Sequence, residues 1–210
     1  MRKLAVKETL SRFASAPVDL LRLAGRRRPL PCPARFSWVL ENPYTEAVAG
    51  SRTLLDRLDL RPGMRLLDAG CGPGRLTLPA ADRVGPQGLV VAMDIQEEML
   101  GKMAVRAAAR GLTNIRPVHG GLGGGLLEPG FFDRALLVTV LGEIPDKEAA
   151  LSEIHRSLKA GGVLSITELL PDPHYQPRGR VRRLAEDTGY RLKESHGSGF
   201  AFTLNFEKPG

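Results

Sequence analysis

The stretch Leu66-Leu67-Asp68-Ala69-Gly70-Cys71-Gly72-Pro73-Gly74-Arg75-Leu76-Thr77 decides the fold. It begins as a short apolar run closed by an acid, places three glycines within five residues, and then passes into helical periodicity. An apolar run, a glycine-rich turn and a helix in that order open a β-α-β unit. Glycine is needed where a ligand must touch the main chain, because a Cβ would collide with it and because tight turns demand unusual dihedrals. The helix start behind the turn offers free N–H groups and positive dipole, suited to a carboxylate or phosphate. Twenty-six positions after Asp68 the next apolar run closes on Asp94, an acid able to accept both hydroxyls of a ribose. Together these features predict a nucleoside-type ligand at the carboxyl ends of parallel strands.

Working outward, short apolar runs recur over 64–68, 89–94, 115–119, 132–140 and 163–168, separated by helical patterns near 75–84, 96–110 and 146–159. Such alternation implies right-handed crossovers and a parallel sheet. The tail breaks the pattern. After a helix over 178–188, strands over 190–195 and 201–206 follow with only His196-Gly197-Ser198-Gly199 between them, which predicts an antiparallel pair at the end of the sheet. The expected fold is α/β, Rossmann-like, a mostly parallel seven-stranded sheet with helices on both faces.

The chain has 210 residues, enough for one sizeable domain with an appendage. Hydrophobic residues make up 42%, which supports a real core and excludes wholesale disorder. The net charge of +7 is confined. Residues 1–36 hold nine Lys/Arg against Glu8 and Asp19, whereas residues 37–210 hold 21 of each sign. Within this arm Val6, Leu10, Phe13, Pro17 and Leu20 or Leu21 recur at helical steps. Pro17 divides the pattern into two short helices, with Ser15 as an N-cap and Gly25 as a stop, and Arg26-Arg27-Arg28 leads into an extended Pro-rich connector. Two units are expected, a basic amphipathic arm over 1–36 and a catalytic domain over 37–210, the latter opened by a helix from Asn42-Pro43 to about Arg57. The arm packs on its own domain or makes peripheral contact with an anionic membrane surface; its composition also resembles a transit peptide, against which Glu8 and Asp19 weigh. No apolar run approaches the eighteen or so residues that cross a bilayer, and no secretory signal is visible, so a soluble, cytoplasmic protein is expected. Cys32 and Cys71 form no disulfide framework and no zinc-type spacing, so no metal is expected.

Spacing separates the nucleoside ligands. The dinucleotide fingerprint places its third glycine at position 75, where this chain has Arg75. The order found, D-x-G-x-G-x-G, resembles motif I of the class I S-adenosylmethionine-dependent methyltransferases. Phe132-Asp133-Arg134-Ala135-Leu136-Leu137-Val138 looks like that family's fourth strand, and Leu158-Lys159-Ala160-Gly161-Gly162-Val163-Leu164 like the turn into its fifth. The resemblance covers about residues 45–210. It implies S-adenosyl-L-methionine as cofactor, with Asp68 helping to hold the amino group, Ala69, Gly70, Cys71 and Gly72 receiving the methionine part, Asp94 binding the ribose and Ile95 packing on adenine. Gly121, Leu122 and Thr139 complete the implied contacts.

Two departures matter. Many relatives carry an acid after the third strand, whereas this chain reads His119-Gly120-Gly121-Leu122, leaving backbone groups of 120–122 and the Leu122 side chain to meet the base. The Asp-Pro-Pro-Tyr or Asn-Pro-Pro-Tyr of enzymes that methylate planar nitrogens is replaced by Thr139-Val140-Leu141-Gly142-Glu143-Ile144-Pro145. The "L-G-E-I-P-D" stretch resembles the ubiquinone/menaquinone-biosynthesis group, which implies a small-molecule acceptor, lipid or quinone-like. An acceptor that loses a proton needs a base. Glu143 is the first choice, Glu168 and His174-Tyr175 the others, while Trp38 and Tyr44 either line the acceptor pocket or pack in the core; Tyr44 is placed with Glu143 as catalytic. The body lacks a basic-aromatic face for nucleic acid, and Arg178, Arg180, Arg182 and Arg183 read as a solvated helix start. The alternatives are a cofactor-binding partner protein without catalysis and a nucleotide-dependent oxidoreductase.

Overall fold

The computed structural model describes residues 49–170 and 172–210. The arm, the boundary near residue 36, Trp38, Tyr44 and the start of the helix expected over 42–57 lie outside them. Within the described residues that expected helix is interrupted at Gly50, whose ψ of 145 is extended, and α1 (Ser51–Arg57) starts after it. There follow β1 (Arg65–Ala69), α2 (Thr77–Val84), β2 (Leu89–Asp94), α3 (Glu97–Ala109), β3 (Ile115–His119) and β4 (Phe132–Val138). A 3₁₀ turn (Leu141–Glu143), α4 (Lys147–Ser157), β5 (Leu158–Leu169), α5 (Arg178–Asp187), β6 (Arg191–Gly197) and β7 (Ala201–Glu207) complete the chain.

The strands form one seven-stranded sheet in the order β3-β2-β1-β4-β5-β7-β6, with β7 antiparallel between β5 and β6. Alternating residues explain the two layers. Leu67, Leu137, Leu164, Ile166, Phe202 and Phe206 point to the face covered by α4 and α5, where Leu151, Ile154 and Val181 are fully buried. Leu66, Val90, Leu136 and Val163 point to the other face, under Leu54, Leu55 and Leu58 of α1 and Ala80 and Val84 of α2. Each buried Leu or Phe contributes about 1.5–3 kcal/mol by removal from water. The chain leaves β1 toward β2 and β3, then returns to β4 on the other side of β1, so the strand order reverses between β1 and β4.

The seven strands and their order of appearance agree with the sequence reading, while several strand ends differ by one or more residues, two of them for reasons visible in the backbone. The fourth strand stops at Val138, because Thr139 takes φ +57, which an extended strand cannot accommodate. The fifth begins at Leu158: its pairing with β4 jumps from Phe132↔Leu158 to Arg134↔Val163, so Lys159-Ala160-Gly161 form an exposed irregularity inside the strand and not a turn before it.

Candidate functional site

The glycine turn sits at the switch point, where crevices of open parallel sheets bind ligands. It is pinned from below: the N–H groups of Gly70 and Cys71 both donate to the Met93 carbonyl, at 2.8 and 3.0 Å. Gly70 holds φ +72, and a Cβ there would run into Val140 of the loop after β4. Gly72 holds φ +52, and among the described residues a Cβ there would meet nothing within 4 Å, so its bare backbone borders space that they leave open. A cradle of this kind fits a ligand lying directly on the main chain.

Asp94 ends β2 and joins the two halves of the crevice. One carboxylate oxygen accepts the Gly72 N–H at 2.9 Å and the other the Gln96 N–H at 2.9 Å. Each oxygen keeps a second lone-pair direction for a hydroxyl donor. Ile95, next in the chain, is 51% exposed, a large apolar side chain at the rim of a polar crevice. Gly121 lies against it, since a Cβ on Gly121 would stand 3.4 Å from Ile95 Cγ2. His119 ends β3 with its Nε2 3.1 Å from the Ile95 carbonyl. The structure thus brings Gly72, Asp94, Ile95 and Gly121 together, while Leu122 packs against the core cluster under α4.

Asp68 is placed differently. Its side chain is 3% exposed and accepts a hydrogen bond from Thr77 Oγ1 at 2.6 Å. Burial pushes its carboxyl up to about 6, the Thr77 bond and the nearby Arg75 opposing the shift. Cys71 is buried and burial pushes its thiol far up, which leaves it an inert filler. Thr139 spends its hydroxyl on the Val138 carbonyl at 2.7 Å, and its N–H reaches the Thr167 carbonyl at 2.9 Å.

Beyond β4 lies a second group of titratable residues. Glu143 is half-buried in the 3₁₀ turn. Glu168, at the end of β5, is fully buried and accepts the Gln176 N–H at 3.1 Å, while its other oxygen has no partner among the described residues. Burial is the main reason its carboxyl is pushed up to about 8; Asp172 and Glu143 nearby add to the shift and Lys147 opposes it. The segment 172–176 crosses directly above Gly142, whose missing side chain lets the His174 carbonyl approach. Asp172 holds the His174 N–H at 2.6 Å, Gln176 holds its carbonyl at 2.7 Å, and the Tyr175 hydroxyl donates to the Gly199 carbonyl at 2.7 Å. Glu143, Glu168, His174 and Tyr175, read from sequence as candidate bases, therefore gather at one end of the sheet. Arg178 proves more than a solvated helix start: it donates to the Gly197 carbonyl at 2.8 Å and lies over the Phe202 ring.

Sequence reading missed Glu153. This fully buried residue of α4 accepts the N–H groups of Gly123 and, at 3.0 Å, Leu127, and so fixes the glycine-rich loop that carries Gly121. An acid inside an amphipathic helix gives no local sign of such a long-range role; the run of glycines at 120–125, which needs an external anchor, was the signal available.

Comparison with known proteins places this geometry. A family described as a methyltransferase domain matches residues 60–186, more than half of the chain. The chain belongs to this family of methyltransferase domains, and the cofactor that the family implies is S-adenosyl-L-methionine. It is 39% identical over 123 residues to the nocamycin O-methyltransferase of Saccharothrix syringae, covering 59% of this chain and 44% of that protein. It is 32% identical over 112 residues to the demethylmenaquinone methyltransferase of Geobacillus stearothermophilus, covering 53% of this chain and 48% of that one. The chain thus spans about half the length of these curated relatives. A crystal structure of a SAM-dependent methyltransferase from Aquifex aeolicus shares the fold with a TM-score of 0.78 at 22% identity, covering 85% of this chain and all of that one.

Proposed function

We propose that the protein is an S-adenosylmethionine-dependent methyltransferase of a small molecule, with a quinone-like or lipid acceptor as the finer reading. One observation carries the proposal: among the described residues Gly72 presents bare backbone to open space while Asp94 ties that backbone to the end of β2 beside exposed Ile95. Those three features match, in order, an aminoacyl group lying on the main chain, a ribose diol and an adenine ring. Relatives named for O-methylation and for demethylmenaquinone methylation support the acceptor class.

The cofactor supplies an electrophilic methyl group on a sulfonium. The chain's task is to hold the acceptor in line with that methyl and keep water out. Asp94 takes the ribose hydroxyls, Ala69 to Gly72 the methionine part, Ile95 and Gly121 the base, with Leu122 packed behind them, and Asp68 and Thr139 support the turn from beneath and beside it. Glu143 would accept the proton that an acceptor gives up on methylation, and Tyr44 is assigned with it as a catalytic residue. The arm over 1–36 brings the domain to anionic membrane surfaces, where apolar acceptors concentrate. Among the described residues no helix is long and apolar enough to cross a membrane.

Isothermal titration of the full chain with S-adenosylmethionine and with NAD, followed by transfer of labelled methyl into a cell extract, tests the proposal. Saturable binding of the first ligand with label entering a small organic-soluble product is expected. Binding without turnover would leave a cofactor-binding partner protein, and preference for NAD would overturn the assignment.

A further inference from the structure

The half of the sheet beyond β4 has a polar face where an apolar one would normally pack. On the side of α1, β5 and β7 present Ser165, Thr167, Thr203 and Asn205, none more than 2% exposed. The register shift in β6 between Leu192 and Glu194 adds Glu194 and His196 opposite Asn205 and Thr203. The Asn205 amide nitrogen donates to the Arg57 carbonyl at 2.7 Å and to Glu194 at 3.2 Å. Among the described residues Ser165 Oγ and Asn205 Oδ1, both buried, have no partner. Buried polar atoms are almost always satisfied, so such exceptions call for a physical account.

A cleft of about 290 Å³ opens on this strip, with Arg57, Thr167, Ser198, Phe202 and Thr203 in its lining. Arg57 donates to Thr203 Oγ1 at 3.2 Å, and Thr203 Oγ1 lies 2.9 Å from Thr167 Oγ1. Among the described residues Arg57 joins no carboxylate, while its neighbours Arg61 and Arg83 pair with Asp59 and Asp56. A half-buried guanidinium beside two hydroxyls, with no acid of its own, is a donor array matched to an oxyanion. Its location fits an acceptor. The Thr167 carbonyl receives the Thr139 N–H, so the cleft floor is one strand from the candidate cofactor crevice, and the turn between β6 and β7 borders it at the same end of the sheet.

We infer that this cleft is the acceptor subsite and takes an oxyanionic group, a carboxylate or an enolate or phenolate oxygen, with Arg57 as its specificity-determining residue and Thr167 and Thr203 beside it. The inference rests on the methyltransferase reading above and names the acceptor's chemistry. Benzoate and its neutral isostere benzamide, titrated into the full chain with and without S-adenosylmethionine, test it by calorimetry and by the Arg57 side-chain N–H resonance. Benzoate is expected to saturate and to move that resonance, and benzamide to bind at least tenfold more weakly. Arg57→Gln is expected to weaken benzoate at least tenfold and Arg57→Lys to recover part of the loss, with S-adenosylmethionine affinity unchanged within twofold. Equal binding of the two probes, or benzoate binding that leaves the Arg57 resonance unmoved, overturns the subsite; the comparison uses the unaltered chain and survives a variant that fails to fold. No benzoate binding beside intact cofactor binding removes the subsite alone. Failure of the unaltered chain to bind S-adenosylmethionine removes the methyltransferase reading instead.

Discussion

Two buried carboxyls behave differently from the exposed acids around them. Asp94 accepts one backbone N–H on each oxygen, that of Gly72 in the glycine turn and that of Gln96 just after β2. Replacing it by Asn puts an amide donor where an acceptor is needed, so Asp94→Asn should raise the dissociation constant of S-adenosylmethionine at least tenfold, about 1.4 kcal/mol, as calorimetry would show. Glu168 is held as the neutral acid up to about pH 8, against an ordinary value of 4.5. Between those values the folded chain keeps a proton that the unfolded chain has released. Stability therefore falls as pH rises from 4.5, and the loss is complete above about 8. Glu168→Gln keeps an acceptor for the Gln176 N–H and removes the buried charge. The variant should gain on the parent by about 4 kcal/mol between pH 5 and pH 8.5, a widening difference visible in denaturant titrations at the two pH values. Equal stabilisation at both would show that Glu168 does not titrate in this window.

At the scale of elements, the loop over 120–127 and helix α4 form one unit through a single side chain. Glu153 holds two N–H groups of a glycine-rich loop that has few side chains of its own to pack. Glu153→Ala leaves both donors without a partner and should cost about 2 kcal/mol of stability. It should also weaken S-adenosylmethionine by several-fold, because the loop presents Gly121 to Ile95. Glu153→Gln, which keeps an acceptor oxygen, should recover most of the binding; if both variants bind the cofactor as the parent does, the loop has no part in the crevice. The loop's composition was legible in the sequence, since five glycines within six residues mark irregular backbone. Its anchor was not, because 26 and 30 residues separate Glu153 from its partners and no local pattern couples them.

For the whole molecule, charge is the organising fact. The entire excess of +7 lies in residues 1–36, while the domain behind them is balanced. Each basic residue near an anionic surface contributes about 1 kcal/mol. Flotation with vesicles of phosphatidylglycerol and phosphatidylcholine should carry the full chain, at low ionic strength most of all. Replacing Arg26, Arg27 and Arg28 by Ser should weaken that association at least tenfold; equal flotation with pure phosphatidylcholine would show that charge plays no part.

The sequence by itself determined the alternation of strands and helices, the antiparallel close of the sheet, the glycine turn and the acid that ends β2. All of these rest on signals carried within a few residues: hydrophobic period, β-branching and turn chemistry. Tertiary structure alone decided that β7 inserts between β5 and β6, and hence that Thr167 meets Thr203 and Ser165 meets Asn205 across a polar face that Arg57 reaches from α1. It also decided that Glu168 lies buried under segment 172–176 and that Glu153 holds the loop after β3. The physical reason is common to all three. Strand register and the burial of polar side chains are settled by packing between segments far apart in the chain, and no local pattern of residues records which distant segment will arrive.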